Sequence, residues 1–474
     1  MTPEIAGILV YIIAQLAIGV WVSRRIASES DYLLAGRSLG LGLATFSIFA
    51  TWFGAETCIG SSGAIFDEGI SGGRADPFGY AICLLLMGLF FAARLRTHGF
   101  TTLPDLFRER FGARTEALGA LTIAVTSLIW AAAQVQAFAT VLSAITGATV
   151  DATLLFGAAV VILYTTMGGL RADVITDFVQ GIAIAVGLTI LFAIGLAEVG
   201  GPSAAWDAIP SERLTWFPDS GDGTWSRIDQ WAVAILGSLT AQELAARVLA
   251  CRTPSIARNG TLSAAGVYLV VGLLPVALAL VGPQLVAGLE NAGELEALLD
   301  EDGERILPLL ARAYLPTFLY VLFAGAILSA ILSTVDSTLL AVSALVSHNL
   351  VFRFVDPANE RRRLRISRSL VVAAGVGAYL LARFGGGVYD LVMDASSFGT
   401  PGLLVIAVFG LFTRFGRAWA GLAALLAAIA LSLAFRFVVE VETPFLISLV
   451  ASACAFVLAA TAEVFCACGG KPAP

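Results

Sequence analysis

Charge is scarce in this sequence. Only 13% of its 474 residues are acidic or basic, and 58% are hydrophobic. A soluble domain carries about twice that share of charge. So large an apolar excess cannot be hidden in a water-soluble core, and a mean hydropathy of +0.88 requires that it face lipid. Histidine is nearly missing, with His98 and His348 the only two. Without a Ser-His-Asp or His-Glu motif, the chain lacks the groups that hydrolysis or zinc chemistry would need. The six cysteines are scattered, with no zinc-ligand spacing, which excludes a disulfide framework or a metal cluster. Long polar stretches are also lacking. The two longest, 199–229 and 283–315, are too short for a domain with its own core. The short alternating strands of an outer-membrane barrel are absent too.

What is present is a series of apolar runs. A span needs about 20 mostly apolar residues, and by that rule there are about 13, over 3–22, 41–69, 77–93, 115–146, 151–168, 174–198, 230–250, 259–282, 316–350, 367–384, 387–412, 416–436 and 442–464. Backbone polar groups in lipid must be satisfied internally, so each run is expected to be helical. The first run has no basic leader and is followed at once by Ser23-Arg24-Arg25, so it reads as a retained anchor. With the N-terminus outside and the C-terminus cytoplasmic, the inside loops hold about 21 of the 28 basic residues, Arg247, Arg252 and Arg258 among them. The arginine clusters therefore set topology and are not read as nucleic-acid patches. The expected setting is the plasma membrane, crossed many times by an all-α polytopic protein.

Ionisable and hydroxylated residues inside spans are functional candidates, because lipid penalises them. The second span carries Trp52-Phe53-Gly54-Ala55-Glu56-Thr57, where a glycine followed by an acid predicts a broken helix. The ninth reads Ala330-Ile331-Leu332-Ser333-Thr334-Val335-Asp336-Ser337-Thr338. The 3–4-residue spacing puts Ala330, Ser333, Thr334 and Ser337 on one face, and their oxygens suit a hard cation. Small hydroxylated residues also glue membrane helices together, but packing does not require Asp336. Asp177 lies just inside the sixth span. Trp52 and Trp130 sit in span interiors, where an indole can stack on a solute or face a cation.

These segments resemble the sodium:solute symporter family, which includes proline, sugar, pantothenate, sialic-acid and choline carriers. The resemblance runs from about Asp31 to about Phe415. It rests on DYLLAGRSLG, ATWFGAETCIGSSG, TLPDLFRERFG, YTTMGGLRADVITDFVQ and SAILSTVDSTLL, in that order. It implies a LeuT-like core of two five-helix inverted repeats, 41–198 and 230–413, after a leading helix and linker (1–40) and before trailing helices and a short tail (414–474). The first helix of each repeat should break, near Gly54 and near Gly237–Thr240, with the solute between the breaks. The resemblance also implies a main sodium site made of the carbonyls of Ala50, Phe53 and Ala330 with the side-chain oxygens of Ser333 and Thr334. Some members have a second sodium site, which would here use Asp177, Ser333, Asp336 and Ser337. Trp52 and Trp130 match two walls of the cage in choline-type carriers. The third position falls on Ala241, which is not aromatic. Glu56, Thr57, Gln134 and Gln242 offer polar contacts to the solute.

The expected function is sodium-coupled symport of a small polar organic solute by alternating access. An amino acid, another zwitterion or a quaternary amine is favoured. The co-transported ion is sodium, no organic cofactor is expected, and the chain is not read as an enzyme. The partners are the solute, sodium and the bilayer, and the oligomeric state is left open. A proton-coupled carrier of the same fold, using Asp177, Asp336 or Glu56, stands as the alternative. A membrane sensor and an intramembrane enzyme are weaker ones.

Overall fold

The computed structural model describes residues 28–54, 56–217, 223–301, 303–355, 359–385 and 387–469, with four isolated positions before them. The first expected span, 3–22, the position of the N-terminus and Lys471 lie outside the described residues. Among those residues the fold is all helical, with a single isolated bridge between Leu39 and Cys251 in place of any sheet. The principal helices are α1 (Leu41–Trp52), α2 (Ala113–Thr146), α3 (Val150–Glu198), α4 (Thr224–Leu236), α5 (Gln242–Ala250) and α6 (Pro254–Leu280). They continue with α7 (Thr317–Ala344), α8 (Glu360–Phe384), α9 (Val388–Ser397), α10 (Thr400–Phe412), α11 (Ala418–Phe437) and α12 (Pro444–Gly469).

Length and apolarity give nine membrane-spanning helices among the described residues, or up to eleven if each bent pair is one span, so the count of about thirteen is not reached. One long stretch explains part of the difference, and a second holds two spans that are counted separately. Glu56–His98 is 43 residues of nearly continuous helix. At 1.5 Å per residue that is about 65 Å, twice the hydrocarbon thickness, so it must double back. It turns at Gly69, whose φ of 77° favours a residue without Cβ. Helix α3 is 49 residues long and reverses at Gly169, at φ 64° and ψ 169°. That glycine separates the fifth and sixth expected spans.

Two further helix pairs are bent. Helices α4 and α5 meet at 45° across the 3₁₀ turn Gly237–Thr240, at the second expected break. Helices α9 and α10 meet at 43° at Gly399, a break that the sequence reading did not anticipate. The molecule is built around α7, which packs on α2 and α3, while α6 packs on α1 and both arms of the Glu56–His98 hairpin. The span containing α7 is 78% buried within the protein, against 28% for each of α8, α11 and α12. A helix so enclosed can carry hydroxyls and an acid, whereas the outer helices show lipid a belt of Leu380, Leu426, Val450 and Leu458.

Candidate functional site

Helix α1 ends at Trp52 because Phe53 turns extended, at φ −88° and ψ 97°. The last turn of a helix leaves its carbonyls without intrahelical partners. The chain resumes as a wide π turn over Glu56–Ser61, a form common at functional positions. The break is seated on α7. A Cβ placed on Gly54 would lie 3.6 Å from the carbonyl carbon of Ala330. The Thr334 hydroxyl stands 3.1 Å from the Thr51 carbonyl oxygen and 3.0 Å from that of Ala330. Ala50, Phe53, Ala330, Ser333 and Thr334 are all buried here. Ser333, however, turns its hydroxyl away from the break, to Asp173 and Asp177.

Three rings meet on another side of the break. Trp52 lies 5.2 Å from Tyr80 and 5.7 Å from Trp130, and Tyr80 is 6.3 Å from Trp130, with all three buried. Tyr80, from the returning arm of the hairpin, is thus the third ring beside the two tryptophans. Ala241 borders a cavity next to Trp130, together with Ser127 and Glu243. The Gln134 carboxamide donates to Glu56 Oε1 at 3.0 Å, and the Thr57 hydroxyl donates to Asp76 Oδ2 at 2.6 Å. The Tyr268 hydroxyl lies 3.2 Å from that of Thr57 and donates to the Trp52 carbonyl at 3.3 Å. Gln242 is engaged elsewhere. Its side-chain oxygen accepts from the Leu103 amide at 2.9 Å, which ties α5 to the TLPDLF segment. Two cavities of about 10 Å³ each flank the rings. Each has room for about one water, so in this conformation the chamber is closed and admitting a solute requires the helices to part.

Two of the residues expected to form a second ion site, Asp177 and Ser337, instead contact a guanidinium. Arg247, on α5 and 1% exposed, donates to Asp173 at 2.7 Å, Asp177 at 3.1 Å, Ser337 at 2.6 Å and, through Nε, Ser47 at 3.0 Å. Ser47 donates to Asp177 at 2.7 Å, and Ser337 to Asp173 at 2.7 Å. Asp336 is equally buried but lies beside Thr165. Arg247 was expected in an inside loop as a topology signal. It is instead a helical residue whose charge is matched within the protein, which is how an arginine persists at such depth.

At the arginine-rich end the segments DYLLAGRSLG and TLPDLFRERFG tie helix ends together. Ser28 and Asp31 form a capping box on Glu29–Leu34. Arg37 donates to the carbonyl of Gly99 at 2.6 Å. Glu29 pairs with Arg363 at 3.2 Å and lies 3.7 Å from His348, which is 3.4 Å from Asp105. Asn349 donates to Asp105 at 3.0 Å and to Glu116 at 3.1 Å. These contacts latch the ends of several helices together. Burial opposes ionisation of Glu29 and Asp105, but His348, with Arg363 at Glu29 and the Thr101 and Thr102 amides at Asp105, outweighs it and holds both carboxyls below their usual range.

Sequence reasoning missed Asp76, Tyr80, Asp173, Glu243, Arg247 and Tyr268. Signals existed for some. Asp173 and Asp177 are four apart and so share a helical face. Arg247 is four residues after Glu243 inside an apolar run.

The model described as "SSF: Sodium:solute symporter family" matches residues 32–427. The chain is 26% identical over 418 residues to the high-affinity choline transporter 1 of Caenorhabditis elegans, spanning 82% of this chain and 70% of that one. It is 24% identical over 473 residues to the sodium/glucose cotransporter of Vibrio parahaemolyticus, spanning 94% and 86%. In structure it resembles a Na⁺-coupled sialic acid symporter solved in a substrate-bound outward-open state, with a TM-score of 0.82 at 18% identity, covering 98% and 97% of the two chains. That likeness establishes the LeuT-like, all-helical fold. The chain belongs to the sodium:solute symporter family and is a multi-pass, sodium-coupled secondary transporter of a small solute.

Proposed function

We propose that this protein carries a small, positively charged organic solute into the cell, together with sodium, across the plasma membrane. One observation carries the reading. At the Phe53–Gly54 break, Gly54 packs on Ala330 and the Thr334 hydroxyl of α7 reaches the carbonyls of Thr51 and Ala330, while Trp52, Tyr80 and Trp130 gather beside the acid Glu56. Carbonyl and hydroxyl oxygens suit an alkali ion, and ring faces beside a carboxylate suit an organic cation. Sodium is held by the carbonyls of Ala50, Phe53 and Ala330 and by Thr334, with Ser333 rotating from its aspartates to join them. The solute lies among Trp52, Tyr80, Trp130, Glu56, Thr57 and Gln134, and Ala241 leaves room at the second break. Gln242 acts through the cytoplasmic latch. The two inverted repeats are 41–198 and 230–413, with the N-terminus outside and the arginine-rich end in the cytoplasm.

Alternating access follows from this arrangement. Sodium bridges α1 and α7, which belong to different repeats, and completes the solute chamber that the break shapes. Each strengthens the binding of the other by the same factor. An inward-moving ion gains about 2.3 kcal/mol per 100 mV, plus its own gradient. Purified protein in liposomes should accumulate an organic cation under an inward sodium gradient and not when potassium replaces sodium. Thr334→Ala should raise the sodium concentration for half-maximal uptake by about tenfold, the equivalent of about 1.4 kcal/mol. Unchanged sodium dependence in that variant refutes the ion site. Equal accumulation in potassium refutes the coupling.

A further inference from the structure

The chamber at the break holds two acids with an unusual feature in common. Glu56 and Asp76 are 3% and 2% exposed, and both line one small cavity together with Tyr80. Each has one carboxylate oxygen engaged, Glu56 Oε1 by Gln134 and Asp76 Oδ2 by Thr57. The other oxygen of each, Glu56 Oε2 and Asp76 Oδ1, accepts no hydrogen bond of good geometry, although the Tyr80 hydroxyl lies near Glu56 and that of Tyr268 near Asp76. Among the described residues no lysine, arginine or histidine lines that cavity. The buried guanidinium of Arg247 is committed to Asp173 and Asp177, and the Arg74 guanidinium pairs with Glu68.

A buried polar oxygen without a partner is costly, and folded proteins leave few of them. Two acids lining one cavity, each with such an oxygen, and with Tyr80 in the same lining packed against Trp52 and Trp130, point to a ligand that supplies the missing donors. The oxygens accept, so the ligand must donate, and it must carry positive charge to offset theirs. A fully methylated ammonium meets the rings but has no N–H, and would leave both oxygens bare. A solute with its own carboxylate would bring a third negative group into the cavity, with no basic side chain to receive it.

We propose that the solute is a protonated primary or secondary amine without a carboxylate, held by N–H donation to Glu56 and Asp76 and by the faces of Trp52, Tyr80 and Trp130. A short diamine, which answers both acids, is the best-matched form. This rests on the reading of the chamber as the solute site.

The test compares solutes that differ at the nitrogen alone. Stabilisation of the purified full chain against heat is titrated at fixed, saturating sodium with 2-aminoethanol, its trimethylated form choline, 1,4-diaminobutane and glycine betaine. The expected order has 2-aminoethanol and 1,4-diaminobutane at least tenfold tighter than choline, with glycine betaine weakest. Sites built to pair a donor reject the analogue lacking it by large factors. Glu56→Gln and Asp76→Asn keep the shape and should each shrink the gap between 2-aminoethanol and choline. Choline binding as tightly as 2-aminoethanol overturns the proposal, as does an unchanged gap in both variants. Sodium-driven uptake of a sugar, with no amine bound, also overturns it while leaving sodium coupling intact. Amine binding with uptake indifferent to sodium upholds it and overturns the functional reading instead. The ranking needs only the natural protein, so it stands even where a variant fails to fold.

Discussion

Replacing Arg247 by methionine removes one positive charge from a site that holds two carboxylates at hydrogen-bond distance. Methionine keeps most of the side chain's volume, so the change isolates charge and hydrogen bonding from packing. Four side-chain contacts are lost, to Ser47, Asp173, Asp177 and Ser337. Breaking a buried pair by removing one partner costs about 3–5 kcal/mol, because the other charge is left uncompensated. With two acids abandoned, the upper part of that range applies unless one of them takes up a proton. For 474 residues, an unfolding entropy of about 2.1 cal/mol/K per residue gives about 1 kcal/mol/K. The midpoint of thermal unfolding in detergent should therefore fall by about 4–5 °C. Arg247→Lys keeps the charge but loses the planar fork that reaches both acids, and should lose less. Adding Asp173→Asn to Arg247→Met should restore more than half of the loss, since one of the two abandoned charges is then gone and the net charge of the site returns to its original value. A fall of less than 1 °C for Arg247→Met, or no recovery in the double variant, refutes the view that charge matching holds these helices together.

Two other outcomes follow from the packing and from the latch. A Cβ on Gly237 would run into the carbonyl of Ser396, whereas one on Gly266 meets nothing within 4 Å. Gly237→Ala should therefore cost about 1–3 kcal/mol and depress uptake, while Gly266→Ala should be neutral or stabilising, as thermal midpoints and uptake rates would reveal. Glu29 is held below its ordinary value of 4.5, so its contribution is present above about pH 4.5 and is lost as pH falls through the lower folded value. Glu29→Gln should flatten the acid limb of stability against pH, and an identical limb in both proteins would refute the latch.

Some of the site could be read from local residues. The hydroxyl face of α7 was visible because 3–4-residue spacing fixes which side chains share a side. Both expected breaks lie where glycine interrupts an apolar run, at Gly54 and at Gly237. Gly399 escaped notice because a glycine two residues before a proline in an apolar run looks the same as the many glycines that simply pack. Gln242 was misjudged for a different reason. It adjoins the break, but its direction depends on how α5 rotates after the 3₁₀ turn, and that rotation aims it at Leu103.

The amino-acid sequence by itself determined that the chain spans a membrane, that it is helical and where two helices break. Lipid offers no partner to the backbone, so each span must satisfy its own hydrogen bonds and announces itself locally. Only the tertiary structure decided which buried groups meet. Arg247 finds Asp173 and Asp177 across 74 and 70 positions of chain, and Tyr80 of the hairpin joins Trp130 of α2. Such meetings depend on how whole helices turn and pack against one another, which no short stretch of sequence specifies.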